Sequence, residues 1–211
     1  MTCWSCHAET AQGAPFCGAC RKVQPLGRGV DAYALFDLPR HFGLDRLDLE
    51  QRFRDLSRQV HPDRFARAEP RERRIALERS TRLNDAYRVL KDWRRRAAHL
   101  LQLAGQEVFG GGRGLHDAEF LEEQLAWRET LALARADGDV AALGEIAGRA
   151  RQCLAALEAE CARRFEAEDW YAESVEEIAR RLSRARYYDA IITDAERGEG
   201  TPGASSSPGV P

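Results

Sequence analysis

The sequence predicts an all-α fold: a helical hairpin and then a three-helix bundle, preceded by a small cysteine-rich segment. Three observations predict it. Apolar residues recur at the three-to-four-residue spacing of amphipathic helices on both sides of a glycine-rich stretch. That stretch holds five glycines between residues 105 and 114, which indicates a linker. The first 20 residues contain four cysteines and little else that could form a core.

These patterns divide the chain into five predicted segments. They are a cysteine-rich segment at 1–27, a helical hairpin domain at 31–104, a linker at 105–115, a three-helix bundle at 116–195 and a disordered tail at 196–211. The tail is assigned on composition, because Gly, Ser and Pro without periodicity cannot build a packed core.

Composition and charge exclude several classes of protein. The chain is 44% hydrophobic and 31% charged, as globular proteins are. Its 32 basic and 34 acidic residues give a net charge of −2, so no overall field attracts nucleic acid or an anionic membrane. No apolar run reaches the length of about 18 residues that a transmembrane helix needs. Because the cysteine motif begins at Cys3, we expect no targeting segment and a cytoplasmic protein.

The hairpin is predicted from two apolar stripes. The first stripe consists of Leu49, Phe53, Leu56 and Val60, and the second of Ile75, Leu83, Ala86, Tyr87 and Leu90. Pro62 must end the first helix, because proline lacks the amide hydrogen and clashes with the preceding turn. Pro70 indicates a loop between the two stripes.

Three further stripes predict the bundle. They comprise Phe120, Trp127 and Leu131; the long run from Val140 to Phe165; and Val175, Ile178, Ala179 and Leu182. Asp139 is predicted to be the N-cap of the second of these helices. Cys153 and Cys161 fall on its apolar stripe, where free cysteine behaves as a small hydrophobic residue.

The four N-terminal cysteines form two Cys-x-x-Cys pairs. Cys3 and Cys6 make the first, and Cys17 and Cys20 the second. Two thiolates from each pair can bind one Zn²⁺ tetrahedrally, and we expect Gly18 to permit the tight turn of the second pair. Four sulfurs close the coordination shell, so the metal is predicted to be structural. Rubredoxin-like iron is the main rival, whereas a thioredoxin-like redox pair would have one motif in a βαβ setting.

His61-Pro62-Asp63 lies between the two hairpin helices. The chain around it contains Tyr33-Ala-Leu-Phe-Asp-Leu, Leu49-x-x-x-Phe53, Val60-His61-Pro62-Asp63-Arg64-Phe65 and Leu83-Asn84-Asp85-Ala86-Tyr87. Together these residues resemble a J-domain. The resemblance implies that His61, Pro62 and Asp63 engage the ATPase of a DnaK-class chaperone. Pro62 disfavours the α region for His61 and stiffens the loop, which holds the Asp63 carboxylate outward.

Arg54 and Arg58 lie opposite the apolar stripe of their helix and lead toward His61. A solvated face is the ordinary reading of such residues, but in a J-domain this face docks on an acidic chaperone surface. The resemblance therefore adds both arginines to the chaperone-binding set. None of these groups makes or breaks bonds, so we expect a protein that is not an enzyme.

The remaining segments carry three further motifs. They are Cys3-Trp4-Ser5-Cys6, Asp117-Ala118-Glu119-Phe120-Leu121 through Gln124-Leu125-Ala126-Trp127-Arg128-Glu129, and Arg186-Tyr187-Tyr188-Asp189. With the hairpin, these motifs resemble the zinc-binding form of the HscB family, and the resemblance covers all three modules. It implies a co-chaperone that stimulates an HscA/DnaK-type ATPase and delivers an IscU-type iron-sulfur scaffold to it. The scaffold-binding residues that it implies are Leu121, Leu125, Glu129 and Tyr187.

Helical geometry gives an independent reason to expect that patch. Leu121 and Leu125 are rotated about 100° and 140° from the apolar stripe of their helix, and Tyr187 is likewise well off the Val175/Ala179/Leu182 stripe. All three should therefore face outward and share one exposed patch. A wider bundle that buries them is the alternative. Glu122 stands where the family usually has methionine, and Ala126 where it often has an acidic residue, so the affinity for the scaffold can differ.

Two other functions fit parts of the sequence. A general J-protein would deliver unfolded clients and have no role in iron-sulfur assembly. A zinc-ribbon nucleic-acid adaptor could use Arg94-Arg95-Arg96, but the chain as a whole carries no excess of positive charge. We therefore expect no nucleic-acid or membrane partner, and a monomer or weak dimer.

Overall fold

The computed structural model is all-helical over the residues that it describes. These are residues 1–11, 13–27, 29–106, 118–167 and 175–199. Residues 198 and 199 are described by their backbone alone. Positions 107–115 of the predicted linker and the predicted tail from position 200 lie outside the described residues. The chain divides into two compact units, Met1–Leu100 and Leu101–Pro211. The segment boundaries drawn from the sequence stay predictions.

The N-terminal unit contains the first helices and the cysteine-rich segment. Its helices are α1 (Ala32–Leu35), α2 (Arg46–Val60), a 3-10 helix (Pro62–Phe65), α3 (Pro70–Lys91) and most of α4 (Trp93–Leu103), whose last three residues belong to the second unit. Before α1, the described chain has only two isolated antiparallel bridges, Thr2 with Glu9 and Phe16 with Val23. We call residues 1–27 the knuckle.

The hairpin of α2 and α3 forms as the two stripes predict. Leu49 and Leu83 are buried, and the rings of Phe53 and Tyr87 stack at 4.1 Å between centroids. The α2 helix ends at Val60, directly before His61 and Pro62. Pro70 is the first residue of α3 and not a loop residue, because the first helical turn needs no amide hydrogen.

Helix α4 was not foreseen as a separate element. Its start is marked by Asp92, whose carboxylate accepts hydrogen bonds from the backbone N–H of Arg94 at 2.9 Å and Arg95 at 3.3 Å. Such side-chain acceptors satisfy amide groups that have no partner within a helix. In the sequence, Asp92-Trp93 lies between two apolar stripes and could have predicted this helix start.

The C-terminal unit contains the three-helix bundle. Its helices are α5 (Ala118–Ala136), α6 (Val140–Glu166) and α7 (Val175–Glu199). The predicted N-cap is confirmed, since the Asp139 carboxylate accepts from the Ala142 N–H at 2.9 Å. Because α7 continues to Glu199, residues 196–199 are helical and do not belong to a disordered tail.

The bundle core is apolar along all three helices. Its buried side chains include Phe120, Trp127, Leu131, Leu143, Ile146, Leu157, Phe165, Ile178, Leu182 and Ile191. Cys161 is buried as predicted, whereas Cys153 is only half-buried and lines an open cleft between α5 and α6. No helix in the described ranges is long and apolar enough to cross a membrane.

Candidate functional sites

The four N-terminal cysteines lie together as a candidate metal centre. All four Sγ atoms are within 4.8 Å of one another, and both the Cys3–Cys20 and the Cys6–Cys17 sulfur pairs are separated by 3.7 Å. Four sulfurs at the Zn–S bond length of about 2.3 Å stand about 3.8 Å apart in a tetrahedron. A disulfide needs a separation of about 2.05 Å. The donor set therefore fits one tetrahedral metal ion.

Two equivalent turns place these sulfurs. In the first, the His7 N–H donates to the Cys3 carbonyl at 3.2 Å, and in the second the Arg21 N–H donates to the Cys17 carbonyl at 2.9 Å. His7 and Arg21 both adopt a left-handed conformation, with φ of 61° and 62°. The tight turn thus falls on the residue after each pair, and the expected role of Gly18 is wrong, since its φ is not positive.

The thiol environment favours a cation among the four sulfurs. Burial raises the pKa of Cys3, but hydrogen bonds from the Cys6 and Ser5 N–H groups outweigh it and lower that pKa to about 6. The Lys22 N–H favours the Cys20 thiolate, yet burial and the neighbouring sulfurs raise its pKa to about 12. The group thus holds thiolate charge that a divalent cation would neutralise while displacing the remaining protons.

The predicted chaperone-binding tripeptide lies at an exposed bend. We use "the bend" for His61, Pro62 and Asp63. His61 has φ −58° and ψ 129°, the extended conformation that a following proline imposes. Its Nδ1 accepts from the Asp63 N–H at 3.3 Å, and the Asp63 side chain is 90% exposed. The bend therefore presents a carboxylate to solvent from a restricted backbone.

Both arginines of the predicted chaperone-binding set are exposed on α2. Arg54 pairs with Glu50 and Arg58 with Asp55, each within the same helix. They line an open cleft of about 710 Å³ between α2 and α3, which His61 also lines. The structure thus brings Arg54, Arg58 and His61 to one surface.

The two leucines that the sequence places outward are exposed on α5. Leu121 is 49% and Leu125 59% exposed, and Glu129 lies one further turn along on the same side. We call these three residues the leucine face. Such apolar exposure on a helix of a packed bundle is typical of a binding surface when the residues cluster.

Tyr187 is less exposed than its position off the apolar stripe predicted, and its environment differs from that of the leucine face. It is half-buried, its hydroxyl donates to the Gln124 carbonyl at 2.8 Å, and its ring meets that of Phe120 edge-on at 5.7 Å. The Arg128 guanidinium lies 6.0 Å from the ring centroid. Tyr187 therefore joins α7 to α5 beside the leucine face, and Arg128 belongs to the same surface, although the sequence alone did not single it out.

The arginine run on α4 does not form a basic patch. Arg96 is buried and donates to the Leu90 carbonyl at 2.6 Å. Arg94 pairs with Asp92 at 2.9 Å. Only Arg95 of the three is exposed. This arrangement stabilises the junction between α3 and α4 and removes the observation that favoured a nucleic-acid adaptor.

Comparisons with known proteins agree with this architecture. A family model described as the HSCB C-terminal oligomerisation domain matches residues 116–196. The chain is 38% identical over 165 residues to a co-chaperone protein HscB homolog of Bordetella petrii, covering 74% of this chain and 96% of that protein. It is 42% identical over 114 residues to the homolog of Ralstonia nicotianae, covering 54% of this chain and 65% of that relative, just under two thirds of its length.

Solved structures show the same relationship. The crystal structure of human co-chaperone protein HscB superposes with a TM-score of 0.84 at 29% identity, covering 95% of this chain and 99% of that one. Chaperone HscB from Vibrio cholerae gives 0.68 at 32% identity, covering 80% and 97%. A J-domain hairpin with an exposed His-Pro-Asp bend, followed by a helical bundle, defines a J-type co-chaperone. Within that class, the chain belongs to the HscB family.

Proposed function

We propose that this protein stimulates the ATPase of an HscA/DnaK-type heat-shock chaperone and delivers an IscU-type iron-sulfur scaffold to it for cluster transfer. The observation that carries the proposal is the exposed Asp63 carboxylate on the restricted backbone of the bend. An adaptor must hold two partners at once, and the described surface offers one candidate site in each unit: a charged bend in the first and a largely apolar face in the second.

At the bend, the protein acts by binding and not by bond chemistry. The Asp63 carboxylate accepts hydrogen bonds from a cationic group of the chaperone, and an arginine could do so through two nitrogens. Pro62 lowers the entropy that the loop loses on binding. Arg54 and Arg58 attract an acidic partner surface, which governs the rate of encounter and its salt dependence more than the final affinity.

At the bundle, the leucine face binds the scaffold. Leu121 and Leu125 supply apolar area that becomes buried, and Glu129 supplies an acceptor at its edge. Tyr187 orders α5 against α7 through its bond to Gln124, in addition to the scaffold contact that the family resemblance implies. Glu122 and Ala126 flank this face, so its chemistry differs from the usual family pattern.

The metal of the knuckle is proposed to be Zn²⁺. Cys3, Cys6, Cys17 and Cys20 would hold it, and with four sulfur ligands its role is structural, since no coordination position is left for an activated water. The protein is therefore proposed to act as an adaptor and not as an enzyme.

Single-turnover ATP hydrolysis by a purified HscA/DnaK-type chaperone tests the first half of this function. We expect stimulation by the wild-type chain and none by Asp63→Asn, because the amide keeps the shape but loses the charge. Asp85→Asn is the matched control: Asp85 is an exposed aspartate on α3 that pairs with Arg88, and its variant should stimulate normally. No stimulation by the wild type, or equal stimulation by Asp63→Asn, contradicts the proposal.

Competition binding separates scaffold delivery from general client delivery. A Leu121→Ala/Leu125→Ala variant should bind an IscU-type scaffold far more weakly than the wild type, while an unfolded model client should bind both equally. Tyr187→Phe tests the hydroxyl separately, because Tyr187→Ala would also disturb the packing against Phe120. Equal loss of both ligands favours the general J-protein, which the exposed leucines would also fit.

A further inference from the structure

A buried arginine of the hairpin binds backbone carbonyl groups of the knuckle. Arg79 on α3 is only 6% exposed, and its guanidinium donates to the carbonyls of Ala14 at 2.7 Å and Gly13 at 3.2 Å, and also to that of Gln24. Burial lowers the pKa of Arg79 to about 10, so it remains a cation at neutral pH. Its charge is thus stabilised by knuckle carbonyls, which are in place only when the knuckle is folded.

Gln24 connects this arginine to the metal centre. It is fully buried, its side-chain Nε2 donates to Cys3 Sγ at 3.3 Å, and its own backbone carbonyl accepts from Arg79. A hydrogen bond to a ligand sulfur orients the ligand and stabilises its thiolate form. One residue therefore contacts both a predicted metal ligand and helix α3.

Apolar contacts extend the same interface to the bend. Val23 of the knuckle forms a buried cluster with Ile75 and Ala76 of α3, and the partly buried side chains packed against it are Trp4, Phe16 and Phe65. Phe65 is the last residue of the 3-10 helix that contains Pro62 and Asp63. The segment that presents the Asp63 carboxylate is therefore anchored on a surface that the knuckle completes.

An ion pair adds a second anchor at the start of α3. The Lys22 ammonium pairs with Glu69, which is the N-cap residue of α3, and the Val23 N–H donates to Glu72 at 3.4 Å. These contacts join the knuckle to the end of the short loop between the 3-10 helix and α3, at Glu69, and to the first turn of α3, at Glu72. The loop thus has knuckle contacts at both of its ends, through Phe65 and through Glu69.

Metal binding must influence these contacts, because so short a segment has no core of its own. Without metal, knuckles of this kind lose their fold, and the free energy of binding is also free energy of folding. When the knuckle unfolds, Arg79 loses its hydrogen bonds to the knuckle carbonyls, and Phe65 loses the apolar surface against which it packs. Thermodynamic linkage makes this coupling reciprocal. Contacts that stabilise the folded knuckle increase its metal affinity, and metal binding stabilises those contacts by the same factor.

We propose that metal binding in the knuckle is thermodynamically coupled to the conformation of the bend, with Arg79, Gln24 and Phe65 as positioning residues between the two. The knuckle is then a metal-dependent support of the J-domain tip. The coupling itself does not depend on the ATPase role; only its consequence for stimulation rests on the proposed function.

Zinc affinity of full-length variants tests the coupling without any chaperone. We expect Phe65→Ala and Arg79→Met to bind Zn²⁺ about ten-fold more weakly than the wild type in competition with a chromophoric chelator, although neither residue is a ligand. Leu77→Ala, at an exposed position of α3, and Arg82→Met, which loses a bond to Val30 outside the knuckle, are the matched controls. Both controls should keep wild-type affinity.

Amide hydrogen exchange gives the reciprocal measurement. On zinc removal, exchange should accelerate at Arg64, Ala66 and Ala68, whose N–H groups bond to carbonyls within and after the bend. Amides near the middle of α2, such as Phe53, should change little. If Arg79→Met fails to fold, Phe65→Ala decides the matter, because its side chain is only partly buried.

Wild-type zinc affinity in a folded Phe65→Ala variant, or unchanged exchange at the bend after zinc removal, overturns the coupling. These outcomes are distinct from failure of the proposed function. A chain that never stimulates an ATPase but shows linked zinc affinity retains the coupling and loses only the adaptor role.

Discussion

The two units of the chain differ in the polar groups that they bury beside their apolar cores. Among the described residues, the buried polar or charged side chains are Gln24, Arg79 and Arg96, and all three lie in the N-terminal unit. The described bundle core is apolar, apart from polar tips such as the Tyr188 hydroxyl, which donates to Glu123 at 2.5 Å. The first unit therefore combines its apolar core with specific buried polar contacts and a candidate metal centre, whereas the described core of the second unit is mainly apolar.

The same contrast extends to the sites. The bend exposes a carboxylate held by backbone restriction, and its surroundings are joined to the knuckle by hydrogen bonds and an ion pair. The leucine face exposes apolar side chains on a helix whose opposite side is packed. Conditions that remove metal should therefore act on the first site and spare the second.

Loss of the metal is expected to have the largest effect. Cys17→Ser removes one of four ligands, and since structural zinc contributes about 10 kcal/mol or more to folding such segments, the knuckle should lose its fold. Amide protection at Cys3 and Arg21 should disappear, while protection along α6 should remain. Hydrogen exchange followed by mass spectrometry checks both regions in one sample. Simultaneous loss in α6 would show that the units are not independent.

Truncation in the bundle core should give the converse result. Phe120 is fully buried against Tyr187 and Tyr188, so Phe120→Ala should destabilise the bundle by about 3 to 5 kcal/mol in urea unfolding. Zinc affinity should not change. Leu125→Ala is the control on the same helix, and because Leu125 is exposed its effect on stability should stay within about 0.5 kcal/mol. Weaker zinc binding by Phe120→Ala would contradict the contrast.

Acid should weaken the N-terminal unit through Asp31. Burial raises the pKa of this carboxyl, but hydrogen bonds from the Ala34 and Tyr33 N–H groups and the ion pair with Arg40 outweigh it and lower the pKa. A lowered pKa stabilises the folded state fully above the unfolded value of about 3.9, and this contribution disappears as pH falls through the folded value.

Asp31→Ala should therefore cost about 1 kcal/mol at pH 7, as loss of an N-cap does, and less as the pH falls below about 4. Urea unfolding of wild type and variant across that range measures the difference. A constant difference between pH 7 and pH 3 would contradict the assigned role of the carboxylate. The bundle transition serves as the internal reference.

Local patterns predicted the helices well, because a helix that buries one face has apolar residues at a regular spacing in its sequence. Phe120, Trp127 and Leu131 are buried as their spacing indicates, and Pro62 ends α2. Contacts between segments that are distant in the sequence produce no such regular spacing. Arg79 lies within a helix rich in charged residues and reads as solvated, yet it is buried against knuckle carbonyls. Tyr187 was expected to be exposed, and its bond to Gln124 depends on how α7 packs on α5.

We propose that the bend and the leucine face bind different partners in one adaptor. Single-turnover ATP hydrolysis by an HscA/DnaK-type chaperone, with and without an IscU-type scaffold, tests it most directly. We predict that the wild type stimulates hydrolysis and that adding scaffold increases the rate further. Asp63→Asn should give no stimulation with or without scaffold. Leu121→Ala/Leu125→Ala should stimulate normally without scaffold, but adding scaffold should not increase its rate. Loss of scaffold-free stimulation in the leucine variant, or a scaffold response in Asp63→Asn equal to wild type, would contradict the account.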